Sequence, residues 1–179
     1  MVAQLRSGLL TVTSIGLLAS ITGCATSVLM TPDLSRDAPR TCTIQAPLSY
    51  DGNPDYLPGA IVAEPVMAQA TVLRYTYSTQ YDANQGIKPL QVVNPLLLAG
   101  FPTGSNSSTV TGLLEVVRSG QTIRSYGAAC AMKRSSTVFS EGETLTDMRR
   151  RSLLLLRDNL SAQICQDQHA LQALLHSSP

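Results

Sequence analysis

The chain has no tryptophan and only two phenylalanines among its 179 residues, so its core has to be built from Leu, Val, Ile and Ala with a few of the six tyrosines. Such a core is feasible at this size. Several chemistry-bearing patterns are missing too: there is no G-x-S-x-G elbow, no phosphate-binding glycine loop, no H-E-x-x-H and no C-x-x-C. Both histidines, His169 and His176, lie near the C-terminus, which leaves a Ser or Cys nucleophile elsewhere without an imidazole to activate it. An enzyme is therefore not expected, nor is a cofactor. A hydrolase assembled from distant carboxylates is the one catalytic class this reading would miss. No segment repeats itself with a period of a solenoid or propeller.

Charge is sparse and balanced. Arg6 is the sole charged residue of the first 23, and without that segment the chain carries 12 basic and 12 acidic side chains. A nucleic-acid binder concentrates a basic excess, so nucleic acid is not an expected partner.

What the sequence does contain begins at its start. Met1 to Gly8 carry one base and no acid, and the run LLTVTSIGLLASI that follows is apolar apart from Thr, Ser and Gly. A spanning helix needs about 20 apolar residues, whereas this run ends in the small residues Thr22 and Gly23, as a signal peptide does before cleavage. The residues Ile21-Thr22-Gly23-Cys24 resemble the lipobox of bacterial lipoproteins, in which an aliphatic residue, a small residue and Gly or Ala precede the cysteine. That resemblance covers the first 24 residues. It implies cleavage before Cys24, thioether lipidation of Cys24 and acylation of its amino group by a palmitate-type chain. Two or three acyl chains hold a protein on a membrane where one is marginal, since each buried methylene contributes about 0.8 kcal/mol. Ala25, not Asp, follows the cysteine, which under the enteric sorting rule implies an outer-membrane location facing the periplasm.

The expected organisation is a signal peptide over 1–23, a lipidated cysteine with a Pro-rich tether and loop region over 24–60, and a single α+β domain over 61–179. Pro32, Pro39, Pro47, Pro54 and Pro58 mark the tether, with a short strand expected around Arg40 to Ile44. Asp51-Gly52-Asn53-Pro54-Asp55 has the opening of a calcium loop, but Tyr56 and Val62 stand where the loop needs Gly and Glu, so it reads as a polar turn. Cys165 and His169 share one helical spacing without further ligands nearby, and no metal site is expected.

Ala70 to Tyr81 is rich in β-branched and aromatic residues and alternates, which predicts a strand with Leu73, Tyr75, Tyr77, Thr79 and Tyr81 on one side. Those tyrosines read as half-buried residues, or as a stacking ladder for a sugar. Residues 89–114 contain no charged side chain. Within them Leu96, Leu97, Leu98 and Phe101 form an apolar knot, expected either in the core or as an exposed contact for a membrane or a protein partner.

Val110 to Arg118 and Gln121 to Lys133 flank Ser119-Gly120, a two-residue hairpin signal. Pairing Arg118 with Gln121 places Glu115 opposite Arg124 and Val116 opposite Ile123. It predicts a core face of Val110, Leu114, Val116, Ile123 and Ala129, with Arg124, Tyr126 and Cys130 on the other face. Thr144 and Asp147 predict a helix start. The helix that follows gathers Leu145, Met148, Leu153, Leu155, Leu156, Leu160 and Ile164 on one half. Arg150, Arg151, Arg157 and Cys165 fall on the other. Arg149, Arg150, Arg151 and Arg157 are candidates for lipid headgroups or an acidic partner surface, or else a solvated face.

An exported protein with Cys42, Cys130 and Cys165 is expected to hold one disulfide and one free thiol. Spacing leaves the pairing open; Cys42 with Cys165 is favoured because it would tie the loop-rich beginning to the end of the long helix. The expected architecture is an antiparallel sheet of four to five strands with that helix on one face. The expected role is a non-enzymatic envelope lipoprotein, an assembly, scaffolding or transport-accessory subunit with a protein partner. A lipid or small-ligand carrier of the periplasm is the alternative, and an envelope hydrolase with a carboxylate site is a further one.

Overall fold

The computed structural model describes residues 26–34, 38, 39, 41–65, 71–84, 104–136 and 144–176. The signal segment with Cys24, and the knot of Leu96, Leu97, Leu98 and Phe101, lie outside the described residues.

The fold is α+β: a six-stranded mixed sheet, curled into a half-barrel, with a long C-terminal helix packed against its two longest strands. The strands are β1 (Thr26–Thr31), β2 (Ile44–Ser49), β3 (Ile61–Glu64), β4 (Val72–Asn84), β5 (Gly104–Arg118) and β6 (Gln121–Ser136). Their order across the sheet is β1-β6-β5-β4-β2-β3. Two helices follow, α1 (Leu145–Gln166) and α2 (Gln168–His176).

The expectation of four to five antiparallel strands is corrected in count and direction, because the Pro-rich stretch before residue 61 supplies two strands. β2 runs parallel to β3 over Ile44–Pro47 and parallel to β4 at Leu48 and Ser49. Pro47, which has no N–H to give a ladder, stands where β2 exchanges one neighbour for the other. β1 pairs antiparallel with β6 at the opposite edge.

The inner face of the sheet follows the period of two. β4 places Leu73 and Tyr75 in the core with Tyr77 half-buried beside them, the side the alternation predicts. β5 contributes Val110, Leu114 and Val116.

The β5–β6 turn forms at Ser119 and Gly120, both with positive φ (49° and 80°), the geometry of a type I′ hairpin. Its register holds for two pairs, Arg118 with Gln121 and Val117 with Thr122, and then slips, so that Val116 faces Arg124 and Glu115 faces Ser125. Ile123 is the extra residue of a β-bulge and is 41% exposed. One inserted residue exchanges the two faces of everything beyond it. The core of β6 is therefore Tyr126, Ala128, Cys130 and Met132, not Ile123 and Ala129. Glu115 lies instead beside Arg74 of β4, at 3.9 Å, and accepts a hydrogen bond from Thr122.

Helix α1 starts at Thr144, whose hydroxyl accepts the Asp147 N–H at 3.1 Å, the cap its sequence predicts. Met148, Leu153, Leu156, Leu160 and Ile164 face the sheet and are fully buried. The helix comes close because β5 has a glycine beneath it: a Cβ on Gly112 would stand 2.7 Å from Leu156 Cδ2. No described helix is long and apolar enough to cross a membrane.

Candidate functional site

Burial on α1 extends beyond its apolar half, to Asn159, Ser161, Ala162 and Cys165. The chain between β1 and β2 explains why. These strands lie first and fifth in the sheet order, so residues 32–43 carry the chain from one edge of the sheet toward the other. Among its described residues, the connection is bonded to the outer side of the helix at two places. Asn159 Nδ2 donates to the Pro32 carbonyl at 2.9 Å, and Cys42 is joined to Cys165 by a disulfide. The connection is thus a strap, and α1 lies between it and the sheet.

Between strap and helix is a cleft of about 920 Å³, within the size range of small-ligand sites. Val28, Met30, Leu34, Leu155 and Ala162 give it an apolar lining, and Asp33, Asp158, Asn159 and Ser161 a polar one. Arg157 lies at its wall, paired with Asp158 at 2.9 Å and donating to the Asp55 carbonyl at 3.2 Å. Asn159 is held by a second contact, accepting from Gln163 Nε2 at 2.8 Å. The two carboxylates of the cleft, Asp33 and Asp158, are both exposed. Among the described residues, no three His, Cys, Asp or Glu side chains converge to hold a metal.

The residues singled out from the sequence separate. Arg149, Arg150 and Arg151 are exposed on the first turns of α1. Arg157 is half-buried and belongs to the cleft, not to a solvated basic face. The disulfide is Cys42–Cys165, and Cys130 is the free thiol, fully buried. Cys130 sits among Met30, Met132 and Met148. Burial pushes its thiol up, an effect that Ser152 and Arg151 nearby partly offset.

The tyrosines of β4 form no exposed ladder. Tyr75 is 2% exposed and packs between Tyr50 and Tyr77, with ring centroids 5.1 Å and 6.2 Å away, and Tyr56 closes on Tyr77 at 6.1 Å. Burial raises the Tyr75 hydroxyl far above its ordinary range and pushes Tyr50 up to about 12.

A second polar cluster closes the far end of the helix. Tyr126 donates to the Asp167 carboxylate at 2.5 Å, Arg124 pairs with the same oxygen at 2.5 Å, and the Arg124 guanidinium lies 5.7 Å from the Tyr126 ring centroid. Burial and the bond to Asp167 raise the Tyr126 hydroxyl. Asp167 is also the C-cap of α1. The cluster therefore fixes the α1–α2 junction to the sheet.

Nothing local in the chain marks the cleft, because its walls come from β1, the strap, the loop before β3 and the outer side of α1. The available signal was negative: Cys165 lies on the side of α1 that the apolar pattern assigns to solvent.

No family model matches the chain, and comparison with curated proteins and with solved structures gives no match.

Proposed function

We propose that this is a membrane-anchored lipoprotein of the bacterial envelope, held by lipid on Cys24 at the periplasmic face of the outer membrane. Its role is that of a non-enzymatic assembly, scaffolding or transport-accessory subunit. The observation that carries this reading is the start of the fold. β1 begins at Thr26, two residues after the lipobox-like cysteine, so lipid on Cys24 would hold the sheet against the bilayer with no tether between them. The Cys42–Cys165 disulfide supports an oxidising compartment.

A protein held in this way works by presenting surface to a neighbour. Arg149 and Arg150 on α1 supply exposed charge for that contact. A photoreactive residue introduced at Arg149 in cells tests the accessory role. Cross-linking to one dominant envelope protein is expected, and a variant that cross-links to nothing in the envelope overturns it.

A second reading, carriage of a lipid or small ligand, is favoured by one feature, the cleft with its Val28, Met30, Leu34 and Leu155 lining. It predicts a stoichiometric co-purifying molecule in native mass spectra that is lost on Leu155→Arg. Protein of unadorned mass contradicts it.

A further inference from the structure

The two edges of the sheet are built differently. β3 has four residues, ends in Glu64 and is followed by Pro65, and shortness, charge and proline all discourage a further strand from pairing. β1 is longer and uncharged, and its own flanking proline, Pro32, stands after its last paired residue. Its six residues, Thr-Ser-Val-Leu-Met-Thr, carry no charge and no proline, and they pair one to one with β6 without a bulge, from Thr26 opposite Arg134 to Thr31 opposite Ala129. Val28 is 43% and Leu29 is 67% exposed, and Leu29 is the most exposed large apolar residue among those described.

We propose that the β1 edge pairs with β1 of a second copy of this chain, antiparallel across a two-fold axis through Leu29. Such an axis stands perpendicular to the sheet and matches inner-face residues with inner-face residues, so the numbers of each opposed pair sum to an even value. Centring on Leu29 sets the outward-facing Leu29 against its own copy, flanked by Ser27 opposite Thr31 on each side. On the inner face it sets Val28 opposite Met30 twice. Each pair from Ser27 to Thr31 is then apolar with apolar or hydroxyl with hydroxyl, the matches that stabilise cross-strand neighbours. Centring on Val28 would instead oppose Ser27 to Leu29 and Thr26 to Met30. An uncharged strand meets no like charge when its partner is itself, which is what makes a second copy the matching occupant. Val28 and Met30 also line the cleft, so the second copy's Val28 and Met30 come to lie beside its wall.

The test uses the full chain with Leu29→Cys, exported in cells and treated with a short bismaleimide, with Val62→Cys as the control. Val62 lies on the other edge and is 45% exposed, while Cys130 is fully buried and does not react. Leu29→Cys is expected to give a cross-linked homodimer, with the two substituted peptides joined to each other, several-fold in excess of any from Val62→Cys. In sedimentation of the purified protein, Leu29→Lys is expected to convert dimer to monomer while keeping the wild-type secondary structure, and its unfolding midpoint is expected not to depend on protein concentration where that of the wild type rises with it. A wild-type monomer with equal cross-linking of the two cysteine variants overturns the proposal, and so does a Leu29→Cys product containing only a different protein.

Discussion

Cys42 and Cys165, 123 residues apart in the chain, are bridged with their Cα atoms 5.5 Å apart, and that bond fastens the strap to the outer side of α1. Closing a loop of this length removes much freedom from the unfolded chain, and loss of such a bridge typically costs about 2–5 kcal/mol. Cys42→Ser and Cys165→Ser are each expected to lower stability by that amount in chemical denaturation under oxidising conditions. The double variant should lose no more than either single one. Wild-type stability in the single variants would mean that the strap is held by other contacts.

The close approach of α1 to β5 at Gly112 predicts a sharp contrast between two glycines of neighbouring strands. Gly112→Val forces Leu156 and Leu160 aside, and overpacking of this kind costs about 1–3 kcal/mol. Gly127→Ala places its methyl 3.9 Å from the Gly112 carbonyl oxygen, an ordinary contact and the nearest beyond its chain neighbours, and should leave the unfolding midpoint nearly unchanged. Equal effects of the two substitutions would contradict the packing described.

Alkaline pH should destabilise the fold. Tyr50 is raised from 10.0 to about 12, and Tyr75 and Tyr126 are raised as well. A raised hydroxyl stays protonated in the folded chain while the unfolded chain has already released its proton. The stability it contributes is therefore complete below pH 10 and lost as pH rises through the folded value. Unfolding free energy should fall between about pH 10 and 12, and tyrosinate absorbance should rise together with loss of secondary structure. Titration of Tyr50, Tyr75 and Tyr126 near the ordinary value of 10.0 in a folded protein would contradict this.

Tyr126→Phe tests the junction cluster separately. It removes a hydrogen bond to a carboxylate, a class of bond that contributes about 1.5–3 kcal/mol. Arg124 remains to neutralise Asp167, so the loss should fall at the lower end of that range in urea unfolding. A change indistinguishable from zero would mean that Arg124 alone secures the junction.

The legible parts of this fold are those set by neighbours in sequence. Thr144 announces the start of α1 because its hydroxyl caps an N–H three residues on, and Tyr75 and Tyr77 declare one face of β4 because alternation is local. The hairpin turn at Ser119-Gly120 is legible for the same reason. The bulge at Ile123 is not, since nothing distinguishes Ile123 from the flanking strand residues and its insertion is settled by packing of Tyr126, Ala128 and Cys130 under α1. β3 is only four residues long and β2 carries Pro47, tolerated where β2 changes neighbours, so neither shows a clear strand alternation, and the short strand expected at Arg40 to Ile44 meets β2 only at Ile44. The cleft was invisible because it needs a strap whose path is fixed by two distant contacts, Pro32 with Asn159 and Cys42 with Cys165.

The reading of this chain as an anchored lipoprotein rests on Cys24, and the mass of the mature N-terminal peptide tests it most directly. The expected peptide begins at Cys24 and carries a diacylglyceryl group with a further acyl chain, a mass that Cys24→Ser removes. A mature chain that retains Met1, or that begins elsewhere with Cys24 cleaved away or unmodified, would contradict it.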